Sequence, residues 1–172
     1  MQILNIKTIK KIEAKKLFLE KKLKVKIEIS GKKIETSGGE YEKYIAEKVF
    51  EAIDKNFSLN TALLLQNEDY IFESINIKNY TRKKDISTVI ARILGKKGRT
   101  IQLIGELSEC ELTLSDNTVS IIGPTEKIKD VVNAVISLIQ GSKTSKVYAY
   151  LEKARRRLPE TDLGLKIKKK QE

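Results

Sequence analysis

Residues 93–101 read Ile-Leu-Gly-Lys-Lys-Gly-Arg-Thr-Ile, and this stretch decides how the second half of the chain is interpreted. Its two glycines, Gly95 and Gly98, enclose two lysines between a predicted strand and a predicted helix. Glycine lets the backbone approach a ligand closely, and the free N–H groups where the helix begins, near Arg99, present partial positive charge to a phosphate. The stretch therefore predicts a loop that can bind a phosphate.

The elements around this loop give the motif its strength, because a lone G-x-x-G occurs in many turns. The expected order is a strand over 86–94, the glycine loop, a helix over 99–109, two alternating strands over 110–115 and 118–123 joined by the turn-forming pair Asp116-Asn117, and a long helix ended by Gly141. A further helix follows and ends in three consecutive arginines.

The first half of the chain predicts the same order of elements without the glycine loop. Expected here are a short N-terminal strand, an amphipathic helix over 9–22, a hairpin with strands over 24–30 and 33–37, and a helix over 41–53. Ser58 is a good N-cap for a short helix that follows, and residues 70–77 alternate like a strand. This intervening segment is expected to join or buttress two domains.

The net charge of +11 and the isoelectric point near 9.6 favour a polyanionic partner, and nucleic acid is the first candidate. A lysine-rich composition can also reflect genome bias or a thermophilic surface, so the distribution of charge is more informative. Residues 81–100 hold seven basic residues against Asp85 alone, whereas residues 101–140 hold two lysines against six acids. The second half is electrically polarised.

Several function classes are disfavoured by composition. With no histidine and a single cysteine, Cys110, the chain has no plausible zinc set, no internal disulfide and no usual general base. The sequence GKKGRT does not fit a Walker loop. Neither a signal peptide nor an apolar stretch of membrane-spanning length is present. We therefore expect a cytoplasmic protein that is not an enzyme and has no cofactor.

The order of elements around the loop resembles a type I KH domain, an RNA-binding module. That resemblance implies an α+β fold of two tandem type I KH-like domains, each a three-stranded antiparallel sheet packed by helices, with the first degenerate and a basic helix at the C-terminal end. The expected boundaries are a degenerate KH-like domain with a helix–strand extension over 1–78, a linker over 79–85, an intact KH domain with the C-terminal helix over 86–158, and a basic, disordered tail over 159–172.

Residues 56–65 and 147–157 narrow the resemblance, because KH proteins in general do not require them. With the two KH-like units they are similar to the archaeal branch of the partner-of-Nob-one (Dim-two) ribosome assembly factors, over most of residues 20–158. This implies binding near the 3′ end of small-subunit rRNA, in company with the endonuclease that trims that end. The family often keeps a glycine-containing loop in its first domain, and its absence here argues against RNA contact by residues 1–55.

The KH resemblance also implies an apolar groove that holds the bases between the first helix and the second strand of the domain. The apolar residues assigned to this groove can equally be ordinary core, and a basic helix end can simply complement the helix dipole. The residues expected to bind RNA are Arg92, Leu94, Gly95, Lys96, Lys97, Gly98, Arg99, Thr100, Ile101, Ile104, Leu112, Arg155, Arg156 and Arg157.

Two alternative functions remain open on the sequence. One is a protein-interaction adaptor, for a translation initiation factor or for the trimming nuclease, whose basic face meets an acidic protein. The other is a KH protein of the RNA exosome or of mRNA. Salt dependence separates RNA binding from adaptor work only in part, because both kinds of contact are electrostatic. Preference for one RNA sequence separates these two functions better.

Overall fold

The computed structural model describes residues 2, 3 and 6–157, with side chains described from residue 8 onward. Both halves have the order strand, helix, helix, strand, strand, helix. The first holds β1 (Gln2–Ile3), α1 (Ile6–Ala14), α2 (Lys16–Leu23), β2 (Lys26–Ser30), β3 (Lys33–Ser37), α3 (Glu40–Asp54) and the short α4 (Leu59–Ala62). The second holds β4 (Tyr70–Asn76), α5 (Ser87–Leu94), α6 (Arg99–Ser108), β5 (Glu111–Ser115), β6 (Thr118–Pro124), α7 (Thr125–Gln140) and α8 (Thr144–Arg155). The basic tail predicted over 159–172 lies outside the described residues.

Each half builds a three-stranded antiparallel sheet in which the last strand lies in the middle. In the first sheet β3 lies between β1 and β2, and in the second β6 lies between β4 and β5. Helices pack on each sheet through a buried apolar core. The α+β class and the three-stranded antiparallel sheet packed by helices are thus confirmed.

Strand β6 contributes side chains to two cores, because successive residues of a strand point to opposite faces of the sheet. Ile121 is fully buried in the core that contains α5, α6, α7 and α8. Its neighbour Ile122, with 1% of its surface exposed, lies in the core of the first half together with Phe50. The sequence Ile-Ile in this strand therefore packs the second sheet on both faces.

Further contacts tie the outer face of the second sheet to the first half. Phe72 of β4 meets Phe57 edge to face, with 6.2 Å between ring centroids. The hydroxyl of Thr113 on β5 donates a 2.8 Å hydrogen bond to the carbonyl of Lys55, just after α3. Apolar packing and a hydrogen bond thus join the two halves into one body.

Residues 87–94 form a helix, so the prediction of a strand there was wrong. Val89 and Ile93, four residues apart, are both fully buried, and they form the stripe with which α5 packs against α6 and α7. Valine and isoleucine favour strands only weakly, and packing overrides that preference. The glycine loop consequently joins two helices, not a strand and a helix.

Two other elements differ from their predicted form. The helix predicted over 9–22 is divided at Lys15 into α1 and α2, because both helices fold over the same core, the first burying Ile12 and the second Leu19. The strand predicted after the short helix is present as β4, and it pairs with β6. It therefore belongs to the second sheet and is not an extension of the first half.

Three local predictions, one hairpin turn and two helix ends, are confirmed. Asp116 and Asn117 both have positive φ, at 48° and 62°, as a tight hairpin turn requires. Ser58 caps α4 by accepting a 3.1 Å hydrogen bond from the amide of Thr61, and Gly141, with φ +109°, ends α7. No described helix is long and apolar enough to cross a membrane. Within the described residues no group of three or more His, Cys, Asp or Glu could hold a metal ion.

The packing of β6 against the first half predicts the effect of one substitution. Replacing Ile122→Ala removes a buried side chain from the first core and should lower the free energy of unfolding by about 2–5 kcal/mol. Urea unfolding followed by circular dichroism measures this loss. Leu17→Ala is the control, since Leu17 is 83% exposed and a surface change costs at most about 0.5 kcal/mol. Equal effects of the two variants would contradict the shared packing.

Candidate nucleic-acid interface

The loop between α5 and α6 is a tight turn whose backbone has positive φ angles, a conformation that few residue types other than glycine adopt readily. Helix α5 ends where the amide of Gly95 donates a 2.8 Å hydrogen bond to the carbonyl of Ala91. Gly95, Lys97 and Gly98 then all have positive φ, at 69°, 56° and 76°. The amide of Gly98 donates back to the carbonyl of Gly95 at 3.2 Å, and α6 begins at the next residue.

The two glycines are required for different physical reasons. A Cβ atom on Gly95 would lie 2.0 Å from Oγ1 of Thr100 and 2.9 Å from its backbone nitrogen, so this glycine allows the loop to close on α6. A Cβ atom on Gly98 would meet nothing within 4 Å. The side of the loop at Gly98 therefore faces open space, where another molecule can reach the backbone.

The charge around the loop is positive and unpaired. Lys96, Lys97 and Arg99 are exposed, and none forms an ion pair with the described residues. Together with Gln102 they line a shallow, open pocket of about 440 Å³. The first turn of α6 contains no acidic residue, so its free N–H groups add to the positive potential. The arrangement is suited to binding an anion such as a phosphate.

The apolar residues predicted for the groove lie at different depths. Leu94, Ile101 and Leu112 are partly buried and present part of their surface. Ile104, in contrast, is fully buried in the core below, so its side chain supports the groove and has no surface to offer a base. Thr100 is 8% exposed and packs under the loop against Gly95.

Gly105 lies between α6 and β5, the two elements predicted to form the groove, and it was not among the residues predicted to bind RNA. A Cβ atom there would lie 2.8 Å from the carbonyl oxygen of Cys110 and 3.6 Å from Cδ1 of Leu112. Glycine therefore lets α6 approach the start of β5 closely, which brings the two walls of the groove together. A glycine in the middle of a helical pattern is the signal that could have identified it.

Arg92 has a structural partner away from the loop. Its guanidinium Nη1 donates a 3.3 Å hydrogen bond to the carbonyl of Leu138, near the C-terminal end of α7. A cation at this end of a helix also complements the helix dipole. The structure thus connects α5 to α7 through Arg92, whose side chain is half-buried.

The arginines at the end of α8 are partly neutralised by carboxylates of the same half. Nε of Arg155 lies 3.7 Å from Oε1 of Glu109, and Nη1 of Arg157 lies 3.8 Å from Oδ1 of Asp130. Arg156 is exposed and pairs with no carboxylate of the described residues. Of the three arginines, Arg156 is therefore the most available to a ligand.

The two carboxylates that pair with Arg155 and Arg157 each accept a further hydrogen bond from within the second half. Lys127 donates a 2.5 Å hydrogen bond to Glu109, and this bond and the charge of Lys127, with a smaller contribution from Arg155, lower the pKa of Glu109. The hydroxyl of Tyr150 donates a 2.5 Å hydrogen bond to Asp130, and burial, followed by this bond, raises the pKa of Tyr150. These groups surround an open cavity of about 810 Å³ between α6, α7 and α8.

The structure does not bring all the predicted RNA-binding residues to one place. Arg155, at the end of α8, contacts Glu109, just after the end of α6, whereas the glycine loop precedes the beginning of α6. Helix α6 has ten residues and is therefore about 15 Å long. The loop and the C-terminal arginines are thus two separate basic surfaces.

Comparison with known proteins gives a consistent family. The family model described as a eukaryotic type KH-domain (KH-domain type I) matches residues 71–156. A KH domain-containing protein of Methanocaldococcus jannaschii is 30% identical over 158 residues, which is 88% of this chain and 70% of that protein. The pre-rRNA-processing protein pno1 of Emericella nidulans is 32% identical over 150 residues, which is 81% of this chain and 57% of that protein.

Among solved structures, Dim2p in a complex with a/eIF2α and rRNA from Pyrococcus horikoshii is similar to most of this chain. The TM-score is 0.74 and the sequence identity is 33%, with 84% of each chain covered. The chain spans 70% of the archaeal relative but little more than half of the fungal one.

The different surroundings of the two loop glycines predict different costs of substitution. Gly95→Ala should lower the free energy of unfolding by about 1–3 kcal/mol for its backbone alone, and the crowding against Thr100 should add to that loss. Gly98→Ala meets open space and should cost only about 1–2 kcal/mol. Thermal and urea unfolding of both variants measure the difference. A larger loss for Gly98→Ala would contradict the loop geometry.

Proposed function

The chain belongs to the partner-of-Nob-one (Dim-two) family of KH-domain ribosome assembly factors, and we propose that it acts in assembly of the small ribosomal subunit. It does so by holding single-stranded RNA near the 3′ end of small-subunit rRNA through the loop Gly95–Gly98. The family is one of RNA-binding proteins and not of enzymes. No catalytic step is therefore assigned to any residue.

The observation that carries this proposal is the open, unpaired positive surface of the loop. Gly98 leaves the backbone accessible, and the neighbouring Lys96, Lys97 and Arg99 have no acidic partner among the described residues. A KH loop clamps about four nucleotides by their backbone. The partly exposed Leu94, beside the loop, gives the bases an apolar wall.

The relatives support the choice of RNA. One solved structure contains Dim2p of Pyrococcus horikoshii together with rRNA, and the fungal relative is a pre-rRNA-processing protein. By extension we assign rRNA as the partner of this chain, and its 3′ region as the segment bound. Ribosomal subunit assembly also makes the cytoplasm the proposed place of action.

The two halves are proposed to be tandem KH-like domains, of which the first is degenerate. Helices α1 and α2 are joined by the single residue Lys15, so the first half has no loop that could clamp a backbone. We assign it to packing and protein contact. Because β4 pairs with β6, the proposed boundary lies near residues 67–69, and the stretch 79–85 is a loop of the second domain.

A second candidate function is a protein-interaction adaptor. It is favoured by the complex of Pyrococcus horikoshii Dim2p, which contains a/eIF2α as well as rRNA. An initiation factor and the nuclease that trims the rRNA end are the proposed protein partners. If the chain bound neither authentic nor scrambled RNA, the adaptor function would take precedence.

The decisive variant is Gly98→Asp, which puts a carboxylate where the proposed phosphates approach. It should weaken binding to an oligonucleotide that copies the 3′ end of the rRNA by at least about a hundredfold, since charge-assisted hydrogen bonds contribute roughly 1.5–3 kcal/mol each. Fluorescence anisotropy at two salt concentrations, with a scrambled RNA of equal length beside it, measures affinity and sequence preference.

Gly31→Asp provides a matched control for this variant. Gly31 also has positive φ, +62°, and a Cβ atom on it also meets nothing within 4 Å, so charge and backbone strain change in the same way in the β2–β3 hairpin. Its RNA affinity should stay within about twofold of the wild type. Equal losses in Gly31→Asp and Gly98→Asp would reject the loop as the binding site.

The unpaired position of Arg156 predicts a smaller effect at the end of α8. Arg156→Ala should reduce the slope of log K against log salt by about 0.7, the value for one phosphate contact with a single strand. The control is Lys146→Ala, which removes an exposed cation from the start of the same helix. If both substitutions leave the slope unchanged, Arg156 does not contact RNA.

A further inference from the structure

Residues 80–84, with the sequence Tyr-Thr-Arg-Lys-Lys, form a third exposed basic surface, which precedes α5 in the chain. Tyr80 is 41% exposed, and Arg82, Lys83 and Lys84 are exposed as well. We propose that this segment binds single-stranded RNA, with Tyr80 stacking on a base and the three cations contacting phosphates. The inference rests on the proposed function, because the strand is the one held by the glycine loop.

The three cations of the segment outnumber the single carboxylate beside them, that of Asp85. Arg82, Lys83 and Lys84 form no ion pair with the residues the structure describes. The adjacent carboxylate of Asp85 is engaged elsewhere, since it accepts a 2.9 Å hydrogen bond from the amide of Ser87 and a 2.8 Å bond from its hydroxyl. These bonds lower the pKa of Asp85, followed by a smaller effect of Lys83.

The position of these cations is electrostatically unfavourable in the free protein. They stand immediately before α5, whose first turn contains no acidic residue, and the N-terminal end of a helix carries partial positive charge. The three cations add to the positive electrostatic potential at this end of the helix, and only the carboxylate of Asp85 opposes it. A bound phosphate strand would relieve the repulsion, and this makes a polyanion a better partner than a neutral surface.

The segment is held in place by backbone hydrogen bonds at its beginning. The amide of Ile77 donates to the carbonyl of Asn117 at 3.0 Å, which attaches the chain to the β5–β6 hairpin. The amide of Tyr80 then donates to the carbonyl of Ile77 at 3.1 Å. The backbone of Tyr80 is thus held while its side chain is exposed, and an exposed aromatic ring offers a face on which a base can stack.

Helix α5 connects residues 80–84 to the glycine loop. Helix α5 has eight residues and is therefore about 12 Å long, with residues 80–84 before its N-terminal end and the glycine loop after its C-terminal end. Its outer face carries the exposed, small side chains of Ser87, Thr88 and Ala91. An RNA strand that leaves the loop along this face reaches the cations within a few nucleotides.

Stacking and phosphate contact together identify the chemical class of the ligand. An acidic peptide could pair with the cations, but it would make no specific use of the exposed ring, whereas every nucleobase has a face that stacks. The segment is therefore assigned to the nucleotides that flank those in the groove. It should increase affinity without adding much sequence preference.

The test compares two RNAs on the full chain. The short RNA has about four nucleotides, enough for the groove alone, and the long RNA has about ten. Tyr80→Ala should weaken binding of the long RNA about tenfold, as loss of one stacked base does. The triple variant Arg82→Ser, Lys83→Ser, Lys84→Ser should reduce its salt slope by about 2, from three phosphate contacts. Neither should change binding of the short RNA by more than about twofold.

A charge-matched triple variant, Lys26→Ser, Lys32→Ser, Lys33→Ser, removes the same number of exposed cations from the first sheet. It should leave the salt slope for the long RNA unchanged. If it reduces the slope equally, the effect is one of net charge and the inference falls. Tyr80→Phe should keep the wild-type affinity, because the ring that stacks is retained.

The remaining outcomes separate this inference from the proposed function. If the wild type binds both RNAs and the variants at residues 80–84 bind both equally well, the segment makes no contact and only the inference is overturned. If the variants weaken both RNAs to the same degree, the segment acts through the fold of α5, which also overturns it. If the wild type binds neither RNA, the proposed function fails first.

Discussion

The burial of strand β6 on both faces is the constraint on which the rest of the structure depends. Five consecutive residues, 119–123, are buried, and the side chains alternate between the core of the first half and the core below α5 and α6. Ile121 lies in the core below α5 and α6, and its neighbour Ile122 lies in the core of the first half. Because the second sheet is packed on both faces, α5 and α6, which flank the glycine loop, pack on a sheet that is held from both sides.

The glycine loop could be predicted because its chemistry is local. Gly95 and Gly98 are needed for a turn that other residues adopt poorly, and the surrounding cations are visible in the sequence. The Asp116-Asn117 turn and the Gly141 helix end are local in the same sense. What the sequence could not show is that Gly95 is crowded by Thr100 while Gly98 is open, because that difference depends on how α6 returns over the loop.

The elements that were mistaken are those decided by tertiary contacts. Residues 87–94 are rich in β-branched side chains and too short for a clear period, so only their packing against two helices makes them helical. Three other features could not be predicted for the same reason, because the residues involved are distant in sequence. They are the burial of Ile104, the hydrogen-bond partner of Arg92 and the carboxylates that pair with Arg155 and Arg157. The closeness of α6 and β5 at Gly105 is a further case.

The sharing of β6 has a consequence for how the protein is made on the ribosome. The first half ends near residue 66, but its core is completed by Ile122, which is translated more than fifty residues later. At about 5–20 residues per second, the intervening stretch takes roughly 3–11 seconds to synthesise. During that interval the nascent first half has an uncovered apolar face, so its folding is completed only when the central strand of the second sheet emerges.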